Sequence, residues 1–194
     1  MFQDEAGFGR INKPKYCWCK KGMRPTVPCH HIREYRYTYG AIEPLTGDSF
    51  FLILPYCNTE CMNVFLRELS AKYQDDYIRA IPCLTCCPDT PKSPCFKAFW
   101  SVRTAYVKRN CYIMAMDGAG WHKAKNLTVP DNIELFFIPP CTPEMNPIEQ
   151  IWKEIRKCGF CNEIFETLNH VIDRLCEVIQ NLSKNTIKRI TARD

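Results

Sequence analysis

Apolar and aromatic residues recur along this chain with two periods, and the switches between them mark out its elements. Residues 34–43, EYRYTYGAIE, and 49–56, SFFLILPY, are rich in aromatic and β-branched side chains and read as strands. The turn-forming residues from Pro44 to Asp48 lie between them and predict a hairpin. From Thr59 to Tyr73 the spacing turns helical, with Met62, Phe65, Leu66, Leu69 and Tyr73 on one face and Asn58 placed to cap the start. Two short, continuously apolar runs follow, 111–116 (CYIMAM) and 133–138 (IELFFI), as expected of parallel strands buried on both faces. A helix is then predicted from Pro147 to about Lys157, with the stripe Ile148, Ile151, Trp152 and Ile155. A last helix over about 163–182 carries Ile164, Leu168, Val171, Ile172, Leu175, Ile179 and Leu182. The opening residues, MFQDEAG, read as the end of a further strand.

The predicted order is therefore three strands, a helix, two strands and two helices. Leading strands joined by hairpin-type connections, then strands alternating with helices, imply an α/β fold: a mixed sheet covered by helices. Such folds bind ligands beyond the carboxyl ends of their strands. The stretch at about 79–110 breaks the pattern. It holds Pro82, Pro88, Pro91, Pro94 and four cysteines, and a connection this long in one domain is uncommon. We treat it as an irregular insertion in a single domain spanning 1–194.

Composition narrows the class further. A chain 46% hydrophobic and 24% charged is globular rather than disordered. It has no apolar run of eighteen residues and no signal-like start, so the expectation is a cytoplasmic protein without a membrane partner. A net charge of +5 permits a polyanionic partner without demanding one. Most of the fourteen cysteines, among them Cys111, Cys141 and Cys176 in apolar runs, are expected to be reduced and buried.

Three carboxylates stand where charge needs a reason. Asp4 lies on the first strand, Asp117 just after an apolar one, and Glu149 opens a helix in the run PEMNPIEQIW. Converging from strand ends and a helix, such groups make a hard-oxygen site suited to Mg²⁺. A pair of ions about 4 Å apart can activate one phosphodiester oxygen and stabilise another. Each acid also has a plain structural reading. Asp4 and Glu5 face opposite ways on a strand, so at most one enters a shared site. Asp117 can cap the turn Gly118-Ala119-Gly120. With Asn146 as N-cap and Pro147 first in the helix, Glu149 completes a capping box.

The motifs FQDEAGFGR, YGAIEPLTG, MDGAGWHKAK and LFFIPPCTPEMNPIEQIWKEIR, taken in order, resemble the catalytic domain of bacterial insertion-sequence transposases of the mariner-like superfamily. The match spans nearly all the chain except the insertion, and DGAGWH with PPCTPEMNPIEQIW is its most specific part. The resemblance implies a ribonuclease H-like fold in which Asp4, Asp117 and Glu149 are the catalytic, metal-holding acids. It implies two Mg²⁺ or Mn²⁺ ions, cleavage at transposon ends and joining of the freed 3′-hydroxyl to a TA-containing target. It further implies a homodimer on DNA. No nucleotide cofactor is implied, and no phosphate-loop motif is present. The chain departs from the family in three ways: the first strand is expected to be short, the helix-turn-helix region that recognises the ends in the family is expected to be absent, and the insertion is extra. A separately encoded helix-turn-helix portion is the implied partner. The competing readings are an inactive remnant that binds DNA or a partner, and another ribonuclease H-like nuclease.

Other candidates carry less. His122 matches a family histidine; it touches substrate phosphate or orients the loop, and orientation is the preferred reading. Lys153 and Arg156, with Lys157, approach phosphate or simply form a solvated face, Glu149 pairing with Lys153 one turn on. Trp152 is read as core. Zinc sites from Cys17, Cys19, Cys29, His30 and His31, or from Cys83, Cys86, Cys87 and Cys95, are minor readings because the spacings are irregular. Basic and aromatic residues interleave over Phe96–Arg109, a mixture that also describes an ordinary amphipathic helix.

Overall fold

The computed structural model describes residues 1–11, 14–16, 18–27, 31–73, 112–139 and 142–192. The insertion at about 79–110 lies outside them, as do Cys17, Cys29, His30, Cys111 and Cys141. Strands β1 (Phe2–Gly9), β2 (Tyr35–Ile42) and β3 (Ser49–Leu54) come first, then helix α1 (Thr59–Lys72) and strands β4 (Tyr112–Met116) and β5 (Ile133–Phe137). Helices α2 (Ile148–Gly159), α3 (Leu168–Gln180) and α4 (Lys184–Thr191) close the chain. They build one five-stranded sheet in the order β3-β2-β1-β4-β5. β1 and β3 flank β2 antiparallel, while β4 runs parallel to both β1 and β5. The three-antiparallel-then-parallel arrangement expected of a ribonuclease H-like sheet is the one observed. Among the described residues no helix is long and apolar enough to cross a membrane.

Two apolar layers cover the sheet, one on each face. On one side Ala6, Phe8 and Ile42 meet Ile148, Ile151, Trp152 and Ile155 of α2, backed by Val171, Leu175 and Ile187. On the other, Tyr39, Ala41, Met114 and Met116 meet Met62, Phe65, Leu66 and Leu69 of α1. Each fully buried isoleucine of the α2 stripe contributes about 2 kcal/mol by leaving water. The helical spacings of α1 and α2 thus found their partners. Asn58 caps α1 as expected, its side chain accepting from the Cys61 amide at 2.9 Å.

Several expectations need correction. β1 is not a short remnant: all eight of its residues pair with β2. The last predicted helix is two. Residues 163–166 stay outside α3 because Thr167 caps it, while both carboxylate oxygens of Glu163 accept from the Arg174 guanidinium, at 3.0 and 2.8 Å. Ser183 then caps α4, which periodicity did not suggest. Cys176 is exposed, not buried, because it sits one residue past the inward-facing Leu175.

Two glycines are required by geometry. Gly47 turns the β2–β3 hairpin with φ +73°, a left-handed conformation that side chains disfavour, and lies against the Lys184 carbonyl. Gly40 lies under α2: a Cβ there would come within 2.7 Å of the Trp152 ring, 2.8 Å of Ile148 and 2.9 Å of Phe51. Gly40→Ala is therefore expected to destabilise the fold by about 1–3 kcal/mol, the usual cost of overpacking. Gly7→Ala, whose added carbon would meet nothing nearer than 3.5 Å, is expected to be nearly neutral. Urea unfolding of both variants checks this; equal midpoints would show that α2 does not press on Gly40.

Candidate functional site

The arrangement of acids starts from strand alternation. Asp4 pairs across the ladder with Gly40, and both face α2. Glu5, the next residue, faces the α1 layer. β1 and β4 run parallel with Phe2 opposite Ala115, and Asp4 and Asp117 each lie two residues beyond that pair. Asp117 is thus at the carboxyl end of β4, beside the middle of β1, and Glu149 is in the first turn of α2.

α2 is fastened to β1 by two side chains. Asn146 is buried, and its amide donates to the Gln3 carbonyl at 3.0 Å. The indole N–H of Trp152 donates to Asp4 Oδ2 at 3.0 Å. The capping-box reading of Glu149 does not hold. The cap position falls on Pro147 with no side-chain hydrogen bond: the Asn146 NH2 holds the side chain against a buried strand carbonyl, and its Oδ1, the atom a cap would use, has no partner among the described residues. Trp152 is core, as expected, with 1% of its surface exposed. That it also grips Asp4 was missed. The available signal was its position one turn after Glu149 and the need of a buried indole for an acceptor.

On the opposite face a second set of contacts holds Asp117. His122 is buried, its Nε2 2.9 Å from Glu5 Oε1 and its Nδ1 2.8 Å from Asp117 Oδ1 and 3.1 Å from the Asp117 carbonyl. Gln3 donates to the same Glu5 oxygen at 3.1 Å. Burial alone would lower the His122 pKa, but the hydrogen bond and charge of Glu5, with those of Asp117, outweigh it and raise the value. The Asp117 carboxylate also accepts from the Ala119 amide at 3.2 Å, so the turn-capping reading is met as well. Glu5 is the residue that sequence reasoning passed over. An acid pair on a strand between two buried layers leaves both acids in need of partners, and that was the clue.

The acids lie within each other's electrostatic field. Burial, opposed by the Trp152 hydrogen bond and augmented by Glu5 and Glu149, raises the Asp4 carboxyl to about 7. The Cys57 thiol is pushed up to about 11, first by burial and then by Glu5, with Asp4 and Asp117 adding to the effect. Among the described residues no cationic side chain forms an ion pair with Asp4 or Glu149. Half-buried acids in each other's field, without a cation of the protein's own, are the donor set that a hard divalent ion suits. As placed, however, no three metal-capable side chains among the described residues meet closely enough to cage an ion. The odd one out is Asp117, which is 59% exposed and turned towards His122.

The basic residues of α2 point away from the core. Lys153, Arg156 and Lys157 are exposed, and the Arg156 guanidinium lies 5.1 Å over the Phe8 ring. The expected Glu149–Lys153 pair is not formed; Lys157 instead pairs with Glu154 at 3.5 Å. Of the cysteine and histidine sets, the described members, Cys19 and His31, join no metal-capable group. The remaining members lie outside the described residues.

A mixed sheet in this strand order, with Asp4 on β1, Asp117 just after β4 and Glu149 at the start of α2, has the ribonuclease H-like fold. The sequence model of DDE superfamily endonucleases matches residues 1–172, and the chain belongs to that family. It is 31% identical over 142 residues to the uncharacterized protein y4pE/y4sA of Sinorhizobium fredii, covering 73% of this chain and 81% of that one. Its fold is similar to that of Mos1 transposase in a paired-end complex with the left transposon end (TM-score 0.62, 16% identity). It is similar too to the Mos1 mariner paired-end complex with Mn (0.64, 14%) and to the Mos1 strand transfer complex (0.61, 15%). Each covers 98% of this chain, which in turn spans 50%, 50% and 49% of those chains.

The Glu5–His122 contact makes a stability prediction. Glu5→Ala leaves the buried His122 and Gln3 donors without an acceptor and should cost about 1–3 kcal/mol. Glu5→Gln, which keeps an acceptor oxygen, should recover a large part of that loss. Urea unfolding at pH 7 distinguishes the two, and identical midpoints for both variants would mean that the acceptor carries no weight.

Proposed function

We propose that this domain is the catalytic part of a DNA transposase, cutting DNA at transposon ends and joining them to a target with the help of divalent metal ions. The observation that carries the reading is membership of the DDE endonuclease family over residues 1–172, which includes Asp4, Asp117 and Glu149. Support comes also from the chemistry of Asp4, a half-buried acid crowded by Glu5 and Glu149 and lacking a cationic partner among the described residues.

In this reading Asp4, Asp117 and Glu149 hold the metal, Mg²⁺ or Mn²⁺, as two ions. When bound, such ions polarise an attacking oxygen and take up charge on the leaving oxygen of a phosphodiester. Asp4 offers its carboxylate from the middle of a rigid strand and Glu149 from the first turn of a helix pinned to that strand. Asp117 comes from the loop after β4, where Glu5 fixes His122 and His122 orients the carboxylate. His122 is thus a site-orienting residue, acting through Asp117. Lys153, exposed on the Glu149 helix, is in this reading a contact for backbone phosphate, which positions DNA without reading sequence. Arg156 is partly committed to Phe8 and makes a weaker contact. The substrate is DNA, both transposon ends and target, with a TA-containing joining site. The working form is a homodimer that takes its end recognition from a helix-turn-helix portion.

Asp117→Asn is expected to abolish Mn²⁺-dependent nicking of supercoiled plasmid while leaving the circular dichroism spectrum and urea midpoint unchanged. Equal nicking by the variant and the parent would remove Asp117 from the site. An RNA–DNA hybrid offered in place of the plasmid should remain uncut, and its preferential cleavage would point to a ribonuclease instead.

A further inference from the structure

We infer that Trp152 is a positioning residue for the metal-holding acids: its indole N–H fixes the carboxylate of Asp4 and so determines which oxygen that acid offers to a cation. The inference rests on the reading of Asp4 as a metal holder given above. It starts from a mismatch between what the core needs and what stands there. The α2 stripe needs apolar bulk at this position, which phenylalanine or leucine supplies; neither carries an N–H. Trp152 does, and that N–H, a donor with no acceptor capacity, lies 3.0 Å from Asp4 Oδ2. With Oδ2 taking the indole hydrogen bond, Oδ1 has no side-chain donor and is the freer oxygen to meet a cation.

The ring has no freedom to release that contact. Phe8 and Phe51 approach it edge-on, with centroids 6.3 and 5.9 Å away, both at interplanar angles of 69°. Gly40 lies beneath it, so close that a Cβ there would reach 2.7 Å from the ring. Gly40 is also the ladder partner of Asp4, so the sheet residue that admits the indole is the neighbour of the acid it holds. Trp152 follows Glu149 by one turn of α2, so one rigid element delivers both an acid and the donor that orients another. The half-buried Trp121 shows the contrast: its buried indole N–H has no hydrogen-bond partner among the described residues. Hydrogen bonds to a ligating carboxylate commonly change metal affinity roughly 10–100-fold.

The test is a calorimetric titration of Mn²⁺ into the full chain for the wild type, Asp4→Asn, Trp152→Phe and Ile155→Val. Ile155 is in the same apolar layer and reports on damage to the core alone. The wild type should bind Mn²⁺, Asp4→Asn should lose that binding, and Trp152→Phe should weaken it about tenfold or more. Ile155→Val should stay close to the wild type. Absence of binding by the wild type, or full binding by Asp4→Asn, would overturn the metal-site reading itself and this inference with it. Wild-type affinity in Trp152→Phe, with Asp4→Asn inactive in binding, would overturn the role of the indole alone. A loss in Ile155→Val as large as in Trp152→Phe would reduce the effect to core damage and also overturn it. Should Trp152→Phe fail to fold, the wild type answers by NMR. The Trp152 indole N–H resonance should shift as Mg²⁺ fills the site, and one that stays fixed would overturn the inference.

Discussion

The close approach of α2 to the sheet at Gly40 is the constraint from which the rest of this domain follows. A helix carrying isoleucines and a tryptophan normally rides about 10 Å above a sheet, held off by side chains on both surfaces. Here one of those side chains is missing. Trp152 drops into the space over Gly40, its N–H reaches Asp4, and Asn146 reaches the Gln3 carbonyl one residue earlier. Apolar burial supplies the attraction, and two directional hydrogen bonds set the position along the strand. Glu149 is therefore placed near Asp4 by packing and not by any contact between the two acids, which repel.

The other face solves a different problem with different means. Asp117 leaves β4 into a short loop with little apolar content of its own, so packing cannot orient it. A polar chain of Gln3, Glu5 and His122 does so instead, anchored on β1 and sealed beneath Tyr39 and α1. Its energetics depend on every member having a partner, since a half-satisfied polar network in a core costs more than an apolar one. The two arrangements share only β1, which sends Asp4 to one side and Glu5 to the other.

Elements with a strong apolar period were legible in the sequence. The stripes of α1 and α2, the hairpin and the two parallel strands were read correctly in type and place, apart from buried Cys61 and a β5 that is not buried on both faces, because burial on one face leaves a period that local chemistry cannot hide. The last helix was misread because Ile164 and Leu182 fit the same period, while the deciding features were caps at Thr167 and Ser183, short-range hydrogen bonds that hydrophobicity does not encode. The positions of the candidate acids followed from motif and element order. Their supports did not. Asn146 suited a helix cap by type, yet a buried strand carbonyl claimed its amide. Trp152 looked fully explained by its apolar stripe, so its N–H went unread. Glu5 was treated as the neighbour of Asp4 that merely faced away. In each case the missing information was which buried polar atom lies opposite, a fact of tertiary structure.

The adjacency of Asp4 and Glu5 has a consequence for how tolerant this sheet can be. If β1 slid by a single residue against its neighbours, every side chain would change sides. Glu5 would rise under the indole and Asp4 would sink against the imidazole. Both acids would still find a donor, so the error would be cheap locally, and the strand itself offers little to forbid it. What forbids it is the unbroken eight-residue ladder with β2 together with Ala6 and Phe8, which would have to leave their apolar layer. The length of that ladder thus guards which of the two acids faces α2, and loosening the far end of β1 would blur a choice made at Asp4.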